Sequence, residues 1–339
     1  MPRGGAHFSS RELVQVLSHY DVGVISQVVP LMAGSNRAPK VVIVSEKGKF
    51  LLKRRLRGKD DLSQVCFAHA VQTYLAEKGF PVTSLVCTSD GKNTFLQLHN
   101  HVYEFFRFAA GGRYDGSSEA TKEAGRQLAL FHLHLSDFKS ECMPSKKSFH
   151  HSSTVYRHLK MLCRDNITQQ DRETFERLTE LYSSSGERVN GLGFDSWDKQ
   201  VVHGDWHPGN MLFSDRKLSA VFDFDSVKIS PAVTDLANGM LQFSIVGDRP
   251  NPVDWPDYLD QAKLIQFLVG YMEVTQLASD KLGCLPDLMI EAIIAEAALP
   301  VAATGFFGNL GGGDFLKMIL RKAAWIEGHR EKLLEAMGG

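Results

Sequence analysis

The sequence has few cysteines and no long apolar run. Its five cysteines, Cys66, Cys87, Cys142, Cys163 and Cys284, are odd in number, widely scattered and without a Cys-x-x-Cys spacing. We therefore expect neither a disulfide framework nor a zinc site. No stretch of about 18 apolar residues occurs, which argues against a membrane span. The first residues also lack the apolar run of a signal peptide, so we expect a cytoplasmic protein.

The chain also lacks an excess of charge of either sign. It has 38 Lys and Arg against 39 Asp and Glu. Residues 1–110, however, carry a net charge of +6, and the remainder carries −7. A basic first part suits a polyphosphate partner, and an acidic remainder suits a cationic substrate or metal ions. An uneven distribution of surface charge that arose by chance explains these two net charges equally well.

The first 107 residues predict strands interrupted by one long helix. Strand-like runs occur at Val24–Met32, Lys40–Ser45, Lys49–Leu56, Val82–Thr88, Asn93–Leu98 and His101–Arg107. The helical periodicity of Leu62–Lys78 is stopped by a Gly-Phe-Pro turn. After Gly111-Gly112 the pattern becomes helical, most clearly at 118–135, 154–163, 171–183, 257–279, 287–302 and 314–337. We predict an α+β protein with an N-terminal lobe at 1–107 and a C-terminal lobe at 108–339.

The chemistry is concentrated in one block of sequence. His203-Gly204-Asp205 is followed by His207 and Asn210, and Asp223-Phe224-Asp225 comes shortly after. Phosphoryl transfer needs a carboxylate to orient an attacking hydroxyl, and a carboxamide and a second carboxylate to hold Mg²⁺. The spacing from Asp205 to Asn210 equals that of the protein-kinase catalytic loop. Asp205 is the predicted catalytic residue, and Asn210 and Asp223 are the predicted metal ligands.

Each of these residues has a simpler interpretation when taken alone. An Asp in a Gly- and Pro-rich loop is often a turn former, and it is the register with Asn210 and Asp223 that favours the functional interpretation of Asp205. His203 and His207 have a spacing that binds zinc on a helix, but the neighbouring glycines and proline break any helix here. Asp225 stays open as a second metal ligand or a supporting residue.

The motif His-Gly-Asp-x-His-Pro-Gly-Asn resembles that of the aminoglycoside phosphotransferase-like superfamily. This superfamily also contains choline kinases, homoserine kinases of the same fold and CotS-like proteins. The resemblance implies a two-lobed, protein-kinase-like fold with ATP between a β-rich N-lobe and a mainly helical C-lobe. It also implies that Asp235 holds the catalytic loop through hydrogen bonds.

The resemblance extends to the predicted nucleotide contacts. Lys53 follows three apolar residues on the third strand, as the phosphate-contacting lysine of kinases does, although a solvated lysine in a basic strand is the alternative. The helix at 62–78 lacks an interior Glu to pair with it. Ser35 lies where a loop would cover the phosphates. Glu104 and Phe106 lie in the segment that would form the adenine-binding hinge, for which a plain edge strand is an equal alternative.

We therefore expect an ATP- and Mg²⁺-dependent kinase acting on a hydroxyl of a small metabolite, with neither nucleic acid nor membrane as a partner. The candidate acceptors are an amino alcohol, a hydroxy amino acid, an amino sugar or an aminoglycoside. We expect residues 240–310 to wall the acceptor site, where acidic side chains could attract an amine: Asp248, Asp254, Asp257 and Glu273. The alternatives are a CotS-like structural or regulatory protein, which the Gly79-Phe80-Pro81-Val82 turn resembles, and a protein kinase.

Overall fold

The computed structural model describes residues 6–31, 38–163, 167–247 and 249–338. Their helices and strands are, in chain order, α1 Ser10–Leu17, β1 Ile25–Pro30, β2 Lys40–Ser45, β3 Gly48–Arg54, α2 Leu62–Glu77, β4 Phe95–Leu98, β5 His101–Arg107, α3 Ser118–His134, α4 Ser153–Leu162, α5 Gln169–Gly191, β6 Gln200–Val202, β7 Met211–Ser214, β8 Lys217–Val221, β9 Lys228–Ser230, α6 Val233–Ser244, α7 Gln261–Met272, α8 Ser279–Gly283, α9 Leu285–Thr304, β10 Phe306–Phe307, β11 Leu310–Gly311, α10 Gly312–Gly328 and α11 Arg330–Met337. This mixture of sheet and helix confirms the predicted α+β class.

The chain forms two compact units, each assembled from three segments. The sheet unit comprises Met1–Arg113, Asp137–Ser145 and Asn210–Val227. The helical unit comprises Tyr114–Ser136, Lys146–Gly209 and Lys228–Gly339. The division into lobes at 1–107 and 108–339 stays a prediction.

The sheet unit is built on five antiparallel strands in the order β1-β2-β3-β5-β4. Alternate residues of the central strands, such as Ile43, Leu52 and Phe105, are fully buried, and α1 packs its apolar face against them. Alternation places one face of each strand in the core. α1 begins at a capping box in which Ser9 and Glu12 satisfy each other's main-chain N–H groups.

The predicted strand at Val82–Thr88 is wrong. The main chain there bonds to two different strands: Thr83 N–H donates to Val221, and Val86 N–H donates to Phe105. A segment that divides its hydrogen bonds in this way forms isolated bridges and no continuous ladder.

The expectation of no disulfide is also wrong. Cys66 of α2 and Cys142 form a disulfide across 76 residues of chain. Their pairing depends on the return of segment 137–145 to α2, which no local spacing reveals. Cysteine usage therefore gives the expected cytoplasmic location no support.

The helical unit surrounds α9, which is largely apolar and is packed by α4, α5, α6 and α10. Apolar residues are spread around its circumference, as in a helix enclosed by others, although it also carries Asp287, Glu291 and Glu296. At a second contact, α3 and α7 approach through glycines: a Cβ on Gly125 would lie 1.9 Å from the carbonyl oxygen of Phe267, and one on Gly270 would lie 1.9 Å from that of Lys122. Any side chain at these two positions would force the helices apart.

One further element of the helical unit differs from the sequence-based prediction, because α5 continues well beyond the predicted helix at 171–183. The glycine-rich segment at 305–313 contains the small hairpin β10–β11. None of the described helices has the length and apolar character that crossing a bilayer requires.

Candidate active site

The β7–β8 hairpin brings two predicted metal ligands to one end. Met211 pairs with Val221, and the N–H of Phe222 donates to the carbonyl oxygen of Asn210 at 3.1 Å. Asn210 directly precedes β7 and is buried, and Asp223 comes two residues after the end of β8. The hairpin register therefore places a carboxamide and a carboxylate beside each other. Oxygen donors of this kind are those that Mg²⁺ prefers.

Asp223 holds a backbone conformation that few non-glycine residues adopt. Its φ of 65° and ψ of 62° lie in the left-handed region, which costs on the order of 1 kcal/mol for a residue with a Cβ. Burial disfavours its charged form, but the charge and hydrogen bond of Lys53, with Lys40 and Lys59 further away, hold its pKa well below the ordinary carboxyl value. Asp223 is therefore a fixed anion.

Lys53 of β3 ends among three carboxylates. Its Nζ lies 2.8 Å from Asp225 Oδ1, 3.1 Å from Asp223 Oδ1 and 3.5 Å from Glu104 Oε2. The side chain is 8% exposed. Burial opposes its charge, yet these anions raise the pKa of Lys53 above the usual lysine value. The solvated lysine that the sequence left open as an alternative is excluded.

Arg55 adds a second cation to this cluster. Its Nη2 donates to Asp225 Oδ1, and its Nη1 lies 3.5 Å from Glu104 Oε1. Two cationic side chains thus contact three anionic ones, Glu104, Asp223 and Asp225, which leaves an excess negative charge suited to a divalent cation. Asp225 is 8% exposed and accepts from both cations, so it supports Lys53 and Arg55 directly.

The loop that carries Asp205 is anchored in the helical unit. It leaves β6, turns at Gly204 with a φ of 75°, and is held by Asp235, whose carboxylate accepts from the main-chain N–H of His203 and of Gly204. Trp206 is fully buried and donates its Nε1–H to the carbonyl oxygen of Ala124. The residues on either side of Asp205 are thereby fixed.

Asp205 itself remains accessible. Its side chain is 40% exposed, and the Nε2 of His207 lies 3.7 Å from its Oδ1. The Nδ1 of His207 in turn accepts from the N–H of Gly209, which orients the imidazole. An exposed carboxylate on a rigid loop can accept a hydrogen bond and then a proton from an incoming hydroxyl.

Apart from Lys53, the sequence predicted that three residues contact the nucleotide: Ser35, Glu104 and Phe106. Ser35 lies outside the described residues. Phe106 lies in β5 opposite Leu51, and Glu104 lies between β3 and β4, with its buried side chain directed to Lys53. Main-chain donors and acceptors inside a sheet are largely taken up by the ladder. Contact of Glu104 and Phe106 with an adenine base stays a prediction.

Sequence reasoning missed one carboxylate of the helical unit, Glu296, whose charge interacts with that of Asp205. Glu296 of α9 accepts a hydrogen bond from Gln242 at 2.6 Å, and both residues line a cavity of about 200 Å³. Surrounding protein atoms and the charge of Asp205 raise the pKa of Glu296 to about 7. No short sequence motif marks this residue, because α9 reads as a buried apolar helix.

Two of the four acidic residues that the sequence singled out for the acceptor form ion pairs within the protein. Asp257 pairs with Arg321 at 2.6 Å, and Glu273 pairs with Lys122 at 2.5 Å. Asp248 lies outside the described residues, and Asp254 is exposed. Glu296 has no cationic partner among the described side chains, and it is therefore the stronger candidate.

Residues 29–268 match the sequence model of the phosphotransferase enzyme family (APH). The chain belongs to this family. The match confirms the predicted family and the enzyme class, a small-molecule phosphotransferase. No curated protein sequence matches the chain.

Solved structures of this phosphotransferase fold resemble the chain over almost its whole length. A structure of the amicoumacin kinase hAmiN with AMP-PNP, Ca²⁺ and Ami is 14% identical, with 97% of this chain and 94% of that chain covered and a TM-score of 0.68. A microcompartment-associated aminopropanol kinase is 14% identical, with coverage of 94% and 97% and a TM-score of 0.70. The choline kinase LicA from Streptococcus pneumoniae is 13% identical, with coverage of 92% and 97% and a TM-score of 0.61. At these identities the likeness shows the fold, and it confirms the predicted kinase-like architecture.

Proposed function

We propose that this phosphotransferase moves the γ-phosphoryl group of ATP to a hydroxyl group of a small amine-bearing metabolite. The observation that carries the proposal is the cluster of buried Lys53 with Asp223 and Asp225, beside Asn210, in a chain that also presents Asp205 on an anchored loop. One cation for phosphate, two oxygen ligands for Mg²⁺ and an accessible base are the parts that phosphoryl transfer needs.

Each residue has one task in this reaction. Lys53 contacts the α- and β-phosphates and holds them in place. Asn210 and Asp223 would hold Mg²⁺, which would neutralise charge on the phosphates. Asp205 orients the acceptor hydroxyl and takes its proton as the hydroxyl oxygen bonds to the γ-phosphorus and the bond from phosphorus to ADP breaks.

The helical unit supports an amine on the acceptor. The charge of Asp205 disfavours ionisation of Glu296, and a bound ammonium group would relieve this repulsion. The cavity beside Glu296 is walled by the apolar side chains of Trp255, Ile293 and Phe315. Its volume of about 200 Å³ is below the roughly 300 to 1,000 Å³ of sites for drug-sized ligands, which favours a small amino alcohol or hydroxy amino acid over an aminoglycoside.

Measurement of ATP consumption against a panel of hydroxylated metabolites tests the function. The panel contains amino alcohols, hydroxy amino acids, amino sugars and aminoglycosides, each beside its deaminated analogue. We expect turnover of a small amine-bearing alcohol, and its loss in Asp205→Asn.

Two other outcomes would contradict this function. Nucleotide binding without turnover of any acceptor would favour the CotS-like structural or regulatory alternative, and phosphorylation of protein alone would favour a protein kinase.

A further inference from the structure

α2 cannot supply the carboxylate that a kinase helix usually directs at its phosphate-binding lysine. The helix contains one acidic residue, Glu77, which is exposed at its last position. The polar residues that α2 buries in the sheet unit are His69 and Gln72, and Gln72 donates to Thr83. Lys53 must therefore obtain its buried counter-charge from elsewhere.

Asp223 and Asp225 supply part of this counter-charge, and the sheet supplies a third carboxylate, Glu104. Lys53 of β3 and Glu104 of β5 are directly paired in antiparallel register, so their side chains share one face. Glu104 is 3% exposed. Burial opposes its ionisation, but Lys53, Arg55 and a hydrogen bond from His69 lower the pKa of Glu104 to about 2. The pair is thus ionised and belongs entirely to the sheet.

His69 links α2 to this pair. Its Nε2 lies 2.8 Å from Glu104 Oε1, and its Nδ1 lies 2.8 Å from the hydroxyl oxygen of Thr94. A carboxylate only accepts hydrogen bonds, so Nε2 must be the protonated nitrogen that donates to Glu104. The two oxygens of Glu104 are divided: Oε1 contacts His69, and Oε2 faces Lys53 at 3.5 Å.

We propose that Glu104 and His69 are positioning residues for Lys53. The Glu104 carboxylate comes from β5 and takes the place of a carboxylate from the helix. The His69 imidazole comes from α2 and orients the Glu104 carboxylate. Without the His69 hydrogen bond, Glu104 Oε1 would keep only its 3.5 Å contact with Arg55 Nη1, and the carboxylate would lose the donor that orients Oε2 toward Lys53. Lys53 would then be drawn further toward Asp223 and Asp225, away from the phosphates. The proposal rests on the proposed role of Lys53 in nucleotide binding.

The test measures AMP-PNP binding in Mg²⁺ by calorimetry, which requires no acceptor and no turnover. We expect His69→Leu, which removes the donor, to weaken binding about fivefold, and Glu104→Gln to weaken it about tenfold. His69→Gln keeps an N–H donor at the end of a side chain and should recover most of the affinity. Val71→Ala, a cavity-forming change on the same helix, is the matched control and should leave affinity unchanged although it destabilises the fold.

A double-mutant cycle separates positioning from general damage to the fold. If His69 acts through Lys53, His69→Leu should have no further effect on affinity in a Lys53→Ala background. An equal loss in both backgrounds, or unchanged affinity in His69→Leu, would overturn the inference while leaving the proposed function intact. Failure of the unaltered protein to bind AMP-PNP would overturn both.

Discussion

The carboxylate of Asp235 accepts a hydrogen bond from the main-chain N–H of His203 at 2.5 Å. Asp235 is 1% exposed and also accepts from the N–H of Gly204. Burial opposes its charge, but the hydrogen bond and charge of His132 and the Gly204 N–H hold its pKa below the usual carboxyl value. A buried anion in the first turn of α6 thus fixes the turn that presents Asp205.

We expect Asp235→Ala to reduce both stability and turnover. The change leaves two main-chain donors without their acceptor, which costs on the order of 3 kcal/mol, and frees the turn before Asp205. Urea unfolding measures the first effect, and turnover in the folded protein measures the second. Asp235→Asn keeps one acceptor and should be milder in both. Wild-type stability in Asp235→Ala would show that the loop is held by other contacts.

Asp223→Ala should abolish turnover in a folded protein. We expect a loss of at least about 100-fold, because the hairpin would keep only Asn210 as a metal ligand. The rise in melting temperature on addition of Mg²⁺ and AMP-PNP should also disappear, which reports on binding without catalysis. Asp198→Ala, which removes an exposed carboxylate, is the control. Near-normal phosphoryl transfer by folded Asp223→Ala would rule out the metal assignment.

Lys53→Ala should weaken the use of ATP by at least about tenfold, or ~1.4 kcal/mol of transition-state binding. Lys49→Ala removes an exposed lysine from the same strand and should leave kcat/KM for ATP unchanged. If Lys53→Ala were kinetically silent, the phosphate contact would have to come from another cation, such as Arg55.

The affinity for an amine-bearing acceptor should depend on pH through Glu296. The raised pKa of about 7 makes Glu296 neutral below that pH and anionic above it. An acceptor ammonium is attracted only by the anion, so its KM should fall about fivefold between pH 6 and pH 8.

Two comparisons isolate the effect of Glu296. A Glu296→Gln variant, or a deaminated acceptor, should show a flat profile, and Glu335→Gln on exposed α11 should behave as wild type. A steep profile in Glu296→Gln would assign the titration to another group.

The sequence alone was enough to single out the candidate site residues that lie within one local motif. Asp205, Asn210 and Asp223 lie in one block, and the β7–β8 hairpin that joins two of them is local, so their spacing alone was informative. The five strands of the large sheet and most of the helices followed from periodicity, whereas the predicted strand at Val82–Thr88 did not form. Lys53 was found because its strand position resembles that of the kinase lysine.

Side-chain contacts between residues that are distant in the sequence are not marked by any local sequence pattern. Glu104 was predicted as a backbone contact for adenine, whereas its side chain faces Lys53 because β3 and β5 pair in a register that no local pattern specifies. Glu296 was missed because a buried apolar helix gives no reason to single out one carboxylate. The Cys66–Cys142 pairing depends on the path of the chain over 76 residues.

The three-segment composition of the sheet unit has a consequence for gene engineering. A gene fragment ending at residue 113 would encode all five strands of its sheet, yet it would lack Asn210, Asp223 and the cysteine partner of Cys66. Exchange of residues 1–113 between relatives by a single crossover would therefore separate Lys53 from its native partners Asp223 and Asp225. A working chimera has to exchange three stretches of sequence together.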